Sequence, residues 1–177
     1  MANIPQTTVD ATQPIGMVGQ LADFQSNADA SVDTATSEES SASIPFGAFV
    51  CEGAADDGAL LMHSAADVIK GIVTHSHGFE RLTELAADGL KPLATFGVLA
   101  KGRVYVIANT DIVKGSEVHV CYATNSGYTI GQAGAAPVTN KTLDISAWAR
   151  WKTTGVKGTV LILEIDLANR ALTTADT

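Results

Sequence analysis

The residues with the chemical means to act are few. His75-Ser76-His77 puts two imidazoles on one face of a strand, because residues i and i+2 point the same way. That is half of a zinc or copper site. Such a site needs three or four ligands, and no second His-x-His or carboxylate cluster stands near it in sequence. Ser76, His77 and Glu80 suggest a hydrolytic triad, but a nucleophile needs a strained elbow and an oxyanion hole, and no Gly-x-Ser-x-Gly occurs. His119 and Cys121 share a strand face, yet thiolate activation also needs an exposed electropositive pocket. Cys51 and Cys121 both fall in predicted strands and have no pairing rule, so buried free thiols are expected rather than a disulfide or a metal site. No Gly-x-x-x-x-Gly-Lys or Gly-x-Gly-x-x-Gly is present, which leaves nucleotide binding unsupported. Trp148, Trp151 and Tyr128 have the aromatic faces of a sugar-stacking surface. The competing expectation is one tryptophan in the core and one at a subunit contact. The chemistry therefore points away from an enzyme, a cofactor or a metal.

The elements that would have to position these groups centre on Phe96 to Ala123. Val104, Val106 and Ala108 share one side of a predicted strand, and Arg103, Tyr105 and Ile107 share the other. Val118 and Val120 alternate with Glu117, His119 and Cys121 in the same way. On either side lie further short apolar runs. Ser26–Thr36 reads as an edge strand, with Ala28, Ala30 and Val32 alternating with Asp29, Ser31 and Asp33. Ser37–Ser41 reads as a solvated loop, Ile44–Cys51 as a strand and Gly71–His77 as another. Ser64–Lys70 is one helical turn or a loop, and Phe79–Gly89 a short helix or a structured loop. Gly131–Asn140 is expected to be an exposed loop. In Thr159–Leu167, Leu161, Leu163, Ile165 and Leu167 form an apolar face opposite Glu164 and Asp166.

Turn signals every ten or so residues indicate an all-β fold. The expected architecture is a small β-sandwich or barrel of short antiparallel strands, with an extended N-terminal arm and at most one or two short helices. A chain of 177 residues is long enough to bury its own core. The expected organisation is an arm over residues 1–23, one β domain over 24–167 and a tail over 168–177. The arm carries Ile4, Pro5, Pro14, Ile15, Met17 and Val18, apolar but without period, broken by prolines and glycines. Twenty extended residues reach about 65 Å.

The net charge is -8, which argues against a nucleic-acid partner. All of it comes from one end. The first 69 residues contain ten acids and no Lys or Arg, and the remainder contains nine acids and eleven bases. An acidic N-terminal third suits a basic partner surface. No basic-then-apolar leader opens the chain, and no apolar run approaches the roughly 20 residues that span a bilayer.

The order of these features resembles the structural cement, or head decoration, proteins of tailed bacteriophages. The likeness is carried by Met1-Ala2-Asn3-Ile4 with its Thr-rich arm and Pro14-Ile15-Gly16-Met17-Val18-Gly19. It continues through Phe46–Val50, Lys70–His77, Val98–Val106, Val113–Val118, Ala149-Arg150-Trp151 and the closing apolar strand. The insert at 34–43 and the tail after Leu167 depart from it. The resemblance implies a non-enzymatic virion protein on the outer surface of the expanded capsid, made in the bacterial cytoplasm. Its implied partners are the major capsid protein and further copies of itself, as a dimer or trimer. Ile4, Pro5, Pro14, Ile15, Met17 and Val18 are the expected capsid contacts. The alternative from another class is a carbohydrate-binding β-module, which requires Trp148 or Trp151 to be exposed.

Overall fold

Runs rich in Val, Ile, Leu and Phe, cut by Gly, Pro and Asp, fold as strands, and no α-helix occurs among the described residues. The structure is a computed structural model that describes residues 16–22, 30–75, 85–86, 89–124, 127–167 and 174–175. In chain order the strands are β1 (Ser31–Ser37), β2 (Phe49–Glu52), β3 (Gly58–Leu61), β4 (Ile69–Thr74), β5 (Leu85–Ala86), β6 (Gly89–Leu90) and β7 (Thr95–Ile107). They continue with β8 (His119–Cys121), β9 (Ala133–Gly134), β10 (Thr142–Asp144), β11 (Ala149–Trp151), β12 (Val160–Asp166) and β13 (Thr174–Ala175).

The central stretch forms one strand of 13 residues, β7, which at strand rise spans about 40 Å. Its length lets it take different neighbours along its course. The first half pairs with β4 and with β1, both antiparallel. The second half pairs with β12, which in turn pairs with β11. Because β1 also pairs with β3, the order β1-β3-β2-β4-β7 returns to β1 and closes a five-stranded ring. The expected edge strand therefore also closes the ring: β7 pairs with it along Ser31–Thr36, and β3 reaches it only at Thr36 and Ser37.

Each strand of the ring supplies side chains to a core inside it: Ala35, Val50, Ala59, Val73, Phe96 and Val98, with Ile44, Leu90 and Ala94 packed among them. The neighbouring residues Phe49, Cys51, Ile72 and Leu99 point the other way, into a second and larger core. There they meet Val104 and Val106 of β7, Leu161, Leu163 and Ile165 of β12, Trp151, and the sheet β13-β10-β8-β9. Across β2, β4 and part of the first half of β7 the ring wall is thus buried on both faces, while the outer face of β1 stays exposed. Continuous apolar pairs such as Phe49-Val50, Ile72-Val73 and Val98-Leu99 are what two-sided burial demands.

Where burial is one-sided, the alternation holds. In β12, Leu161, Leu163 and Ile165 are buried and Glu164 and Asp166 are not, as the sequence pattern predicts. One expectation of exposure fails, while His119 and Cys121 are buried along with Val120 on β8, Cys121 as a buried free thiol. The stretch 131–140 is not simply an exposed loop: Ala133 and Gly134 form β9, and Gly131 is buried beside Phe49. The segment 64–68 is a loop leading into β4. Most of 79–89, where a short helix was one expectation, lies outside the described residues, and 85–86 with 89–90 form an antiparallel pair.

Candidate contact surface

Of the residues expected to make contacts, Ile4, Pro5, Pro14 and Ile15 lie outside the described residues, and Met17 and Val18 lie within them. Residues 16–22 run along the second half of β7, opposite the flank that β12 occupies. The Gly19 amide donates to the Tyr105 carbonyl at 2.7 Å, and the Tyr105 amide donates to Gln20 at 2.9 Å. The Ala22 amide donates to Arg103 at 2.9 Å, and Leu21 faces Val104 in an antiparallel bridge. The His75 amide, just past β4, donates to the Gly19 carbonyl at 2.8 Å.

Glycine makes this approach possible. A Cβ on Gly16 would stand 2.3 Å from the Tyr105 ring, and Gly19 holds a φ of +82° beside the His75 amide. Tyr105 is buried for this reason, although its alternation with Val104 places it on the outer side of the strand. Val18 rests against Gly47, and Met17 is 56% exposed.

A second exposed apolar residue was not foreseen. Lys91-Pro92-Leu93-Ala94 forms a type II turn, closed by the Ala94 amide donating to Lys91 at 3.2 Å. Leu93 takes the position that glycine or asparagine usually fills, with φ 63°, and is 75% exposed. The only sequence signal is the proline before it. Val113 and Val156 are also exposed, on loops joined by reciprocal hydrogen bonds between Ile112 and Gly155. Leu93 lies just before β7 and these loops lie beyond its far end.

Part of the acidic segment serves the fold itself. Glu38 accepts from the Ala54 and Ala55 amides at 2.8 and 2.7 Å, which holds its carboxyl below the usual range, and Glu39 accepts from the Leu61 amide at 2.9 Å. Ser37 is fully buried. The solvated loop expected at 37–41 is therefore a brace for the turn after β2. Asp33, Glu52 and Asp56 line an open cleft of about 620 Å³ with Lys70 and Leu167. On β12, burial works against the charge of Glu164, but Arg103 and Lys152 outweigh it and hold the carboxyl below its ordinary value.

The catalytic readings gain little from geometry. His119 is 3% exposed with Nε2 3.4 Å from Glu117, and the Cys121 thiol donates to the Ala123 carbonyl. Burial pushes the Cys121 thiol up, the opposite of what a nucleophile needs. Ser76, His77 and Glu80 lie outside the described residues. The His75 ring packs edge-on to Phe46 at 4.7 Å. Both tryptophans are buried, Trp151 completely, which corrects the expectation of one at a subunit contact and removes the exposed ring that sugar stacking requires. Both cysteines are buried and free, as expected. No helix among the described residues is long and apolar enough to cross a membrane.

Comparison with known proteins finds a matching family and similar solved folds. Residues 4–166 match the family model described as structural cement protein (E217 gp24/Pam3 gp6). The fold is similar to a chain in the solved capsid of Myoviridae phage XM1, with a TM-score of 0.62 at 15% identity, covering 94% of this chain and 98% of that one. No curated protein matches the sequence.

Proposed function

Because the chain belongs to the phage structural cement protein family, we propose that it binds the outer surface of the expanded shell and bridges neighbouring major capsid subunits. The function is mechanical and needs no catalysis. A protein that binds the expanded lattice and not the immature one stabilises the expanded state by its own binding free energy. The observation that carries this reading, beside the family, is the anchoring of residues 16–22 on β7. A rigid body fixes the root of the arm, with Met17 at its base, and Ile4, Pro5, Pro14 and Ile15 are the proposed contacts to a neighbouring subunit.

Bridging also needs contacts that are far apart. Leu93 at one end of β7, and Val113 with Val156 beyond the other, expose apolar side chains across about 40 Å. Modest contacts at separate points reinforce one another through effective concentration. The acids around the cleft at Asp33, Glu52 and Asp56 suit a basic patch on the shell. A dimer or trimer on the shell multiplies such contacts by symmetry.

Deleting residues 2–15 while keeping the 16–22 anchor tests the role of the leader. The truncated protein should fold with unchanged circular dichroism and lose co-sedimentation with expanded capsids. Undiminished co-sedimentation would refute the leader as a contact.

A further inference from the structure

The path of the chain between β3 and β4 creates a second cluster of chemistry. Both strands pair antiparallel with β2, so they run parallel to each other on its two flanks. Their connection, residues 62–68, must therefore cross over β2. It passes the position of Cys51, which sits opposite Leu60 on one flank and Ile69 on the other. The crossing loop carries His63 and Asp67.

Three donor atoms of three kinds converge there. His63 Nδ1 stands 3.2 Å from Asp67 Oδ2 and 4.0 Å from Cys51 Sγ, and all three lie within 4.8 Å of one another. A tetrahedral zinc ion with ordinary bond lengths separates its ligands by about 3.3–3.6 Å. The triangle needs only a small contraction, and His63, with a side chain 66% exposed, has room to make it. Asp67 is fixed in place by the His63 and Ser64 amides at 2.7 and 2.9 Å, the kind of support that orients a ligating carboxylate.

The geometry points to a binding site for a zinc-class divalent cation held by Cys51, His63 and Asp67. The set of one sulfur, one nitrogen and one oxygen favours such a cation over magnesium or calcium. On binding, the Cys51 thiol releases its proton to solvent and a sulfur–metal bond forms. The thiolate and the carboxylate then neutralise the dication, and the exposed side at His63 leaves the fourth position to water. The cation would clip the crossing loop to β2.

Cobalt(II) serves as the spectroscopic probe, titrated into untagged, chelator-stripped full-length protein. The expected result is one equivalent bound, a thiolate-to-cobalt charge-transfer band, displacement by zinc, and a higher thermal midpoint. Cys51→Ser and His63→Ala should each abolish the band. His63→Ala keeps its fold because its side chain is largely in solvent, so lost binding with intact circular dichroism supports the site even if the cysteine variant is unstable. His75→Gln should keep the band. A folded wild-type protein without the band, or a band that survives His63→Ala or disappears with His75→Gln, overturns the proposal.

Discussion

At the scale of single residues, Glu164 shows how a modest charge enters the stability of the fold. It lies between Arg103 and Lys152 on the outer face of β12, with its carboxyl held below the ordinary value of 4.5. A depressed carboxylate contributes stability above its unfolded-state value and loses that contribution as pH falls through the folded one. Its side chain is 36% exposed, so solvent screening keeps the contribution below about 1 kcal/mol. Glu164→Gln should lower the thermal midpoint slightly at pH 7, and the gap to wild type should close as the pH is lowered past 4.5 toward about 3. Thermal melts across that range check it. The position was legible, since Glu164 alternates with Leu163 and Ile165. The burial of Tyr105 was not, because the cover comes from residues 16–22, more than eighty positions away. No periodicity reports a lid of that kind. Cys51, His63 and Asp67 stayed unread for the same reason, since only the crossing of β2 brings them together.

At the scale of elements, the turn at Leu93 separates stability from contact. An L-residue with a branched side chain in the left-handed region costs about 1–2 kcal/mol relative to glycine's freedom there. The body supports this strain for an exposed side chain, and strain held at the surface points to use. Leu93→Gly should leave the thermal midpoint equal or higher and yet weaken capsid co-sedimentation. A variant that is stabilised and binds as well as wild type would remove Leu93 from the contact surface. Strand content, and the apolar face of β12, followed from pattern alone. Partners did not. The pattern of β1 is that of an edge strand, and only the parallel pairing with β3 at Thr36 and Ser37 turns it into the closure of a ring. The stretch 131–140 looked loose because Gly and Ala carry little hydrophobic signal, yet small residues are what let Gly131 approach the Phe49 carbonyl and Ala48 so closely.

At the scale of the molecule, the ring wall is shared by two cores. Val73 faces the interior of the ring and Ile72 faces the larger core, from adjacent positions of β4. Neither core can lose its packing without taking the wall from the other, so unfolding should be one transition. Ile72→Ala and Val73→Ala should each lower a single midpoint, Ile72→Ala by about 2–5 kcal/mol of stability, with calorimetric and van't Hoff enthalpies in agreement. Two separable transitions in either variant would mean that the cores are independent. The whole-chain resemblance to cement proteins was legible from the order of many weak motifs, and the family match over residues 4–166 bears it out.

The docking of residues 19–22 beside β7 has a mechanical corollary. Those residues lie antiparallel to Arg103–Tyr105, so tension applied along the leader loads their cross-links in shear, all at once, rather than unzipping them in turn. From there the force passes into the longest of the described strands and spreads sideways through β12, β4 and β1. Under the proposed role, a shell that swells would load β7 through the arm, and would have to shear that joint before residues 19–22 could peel away.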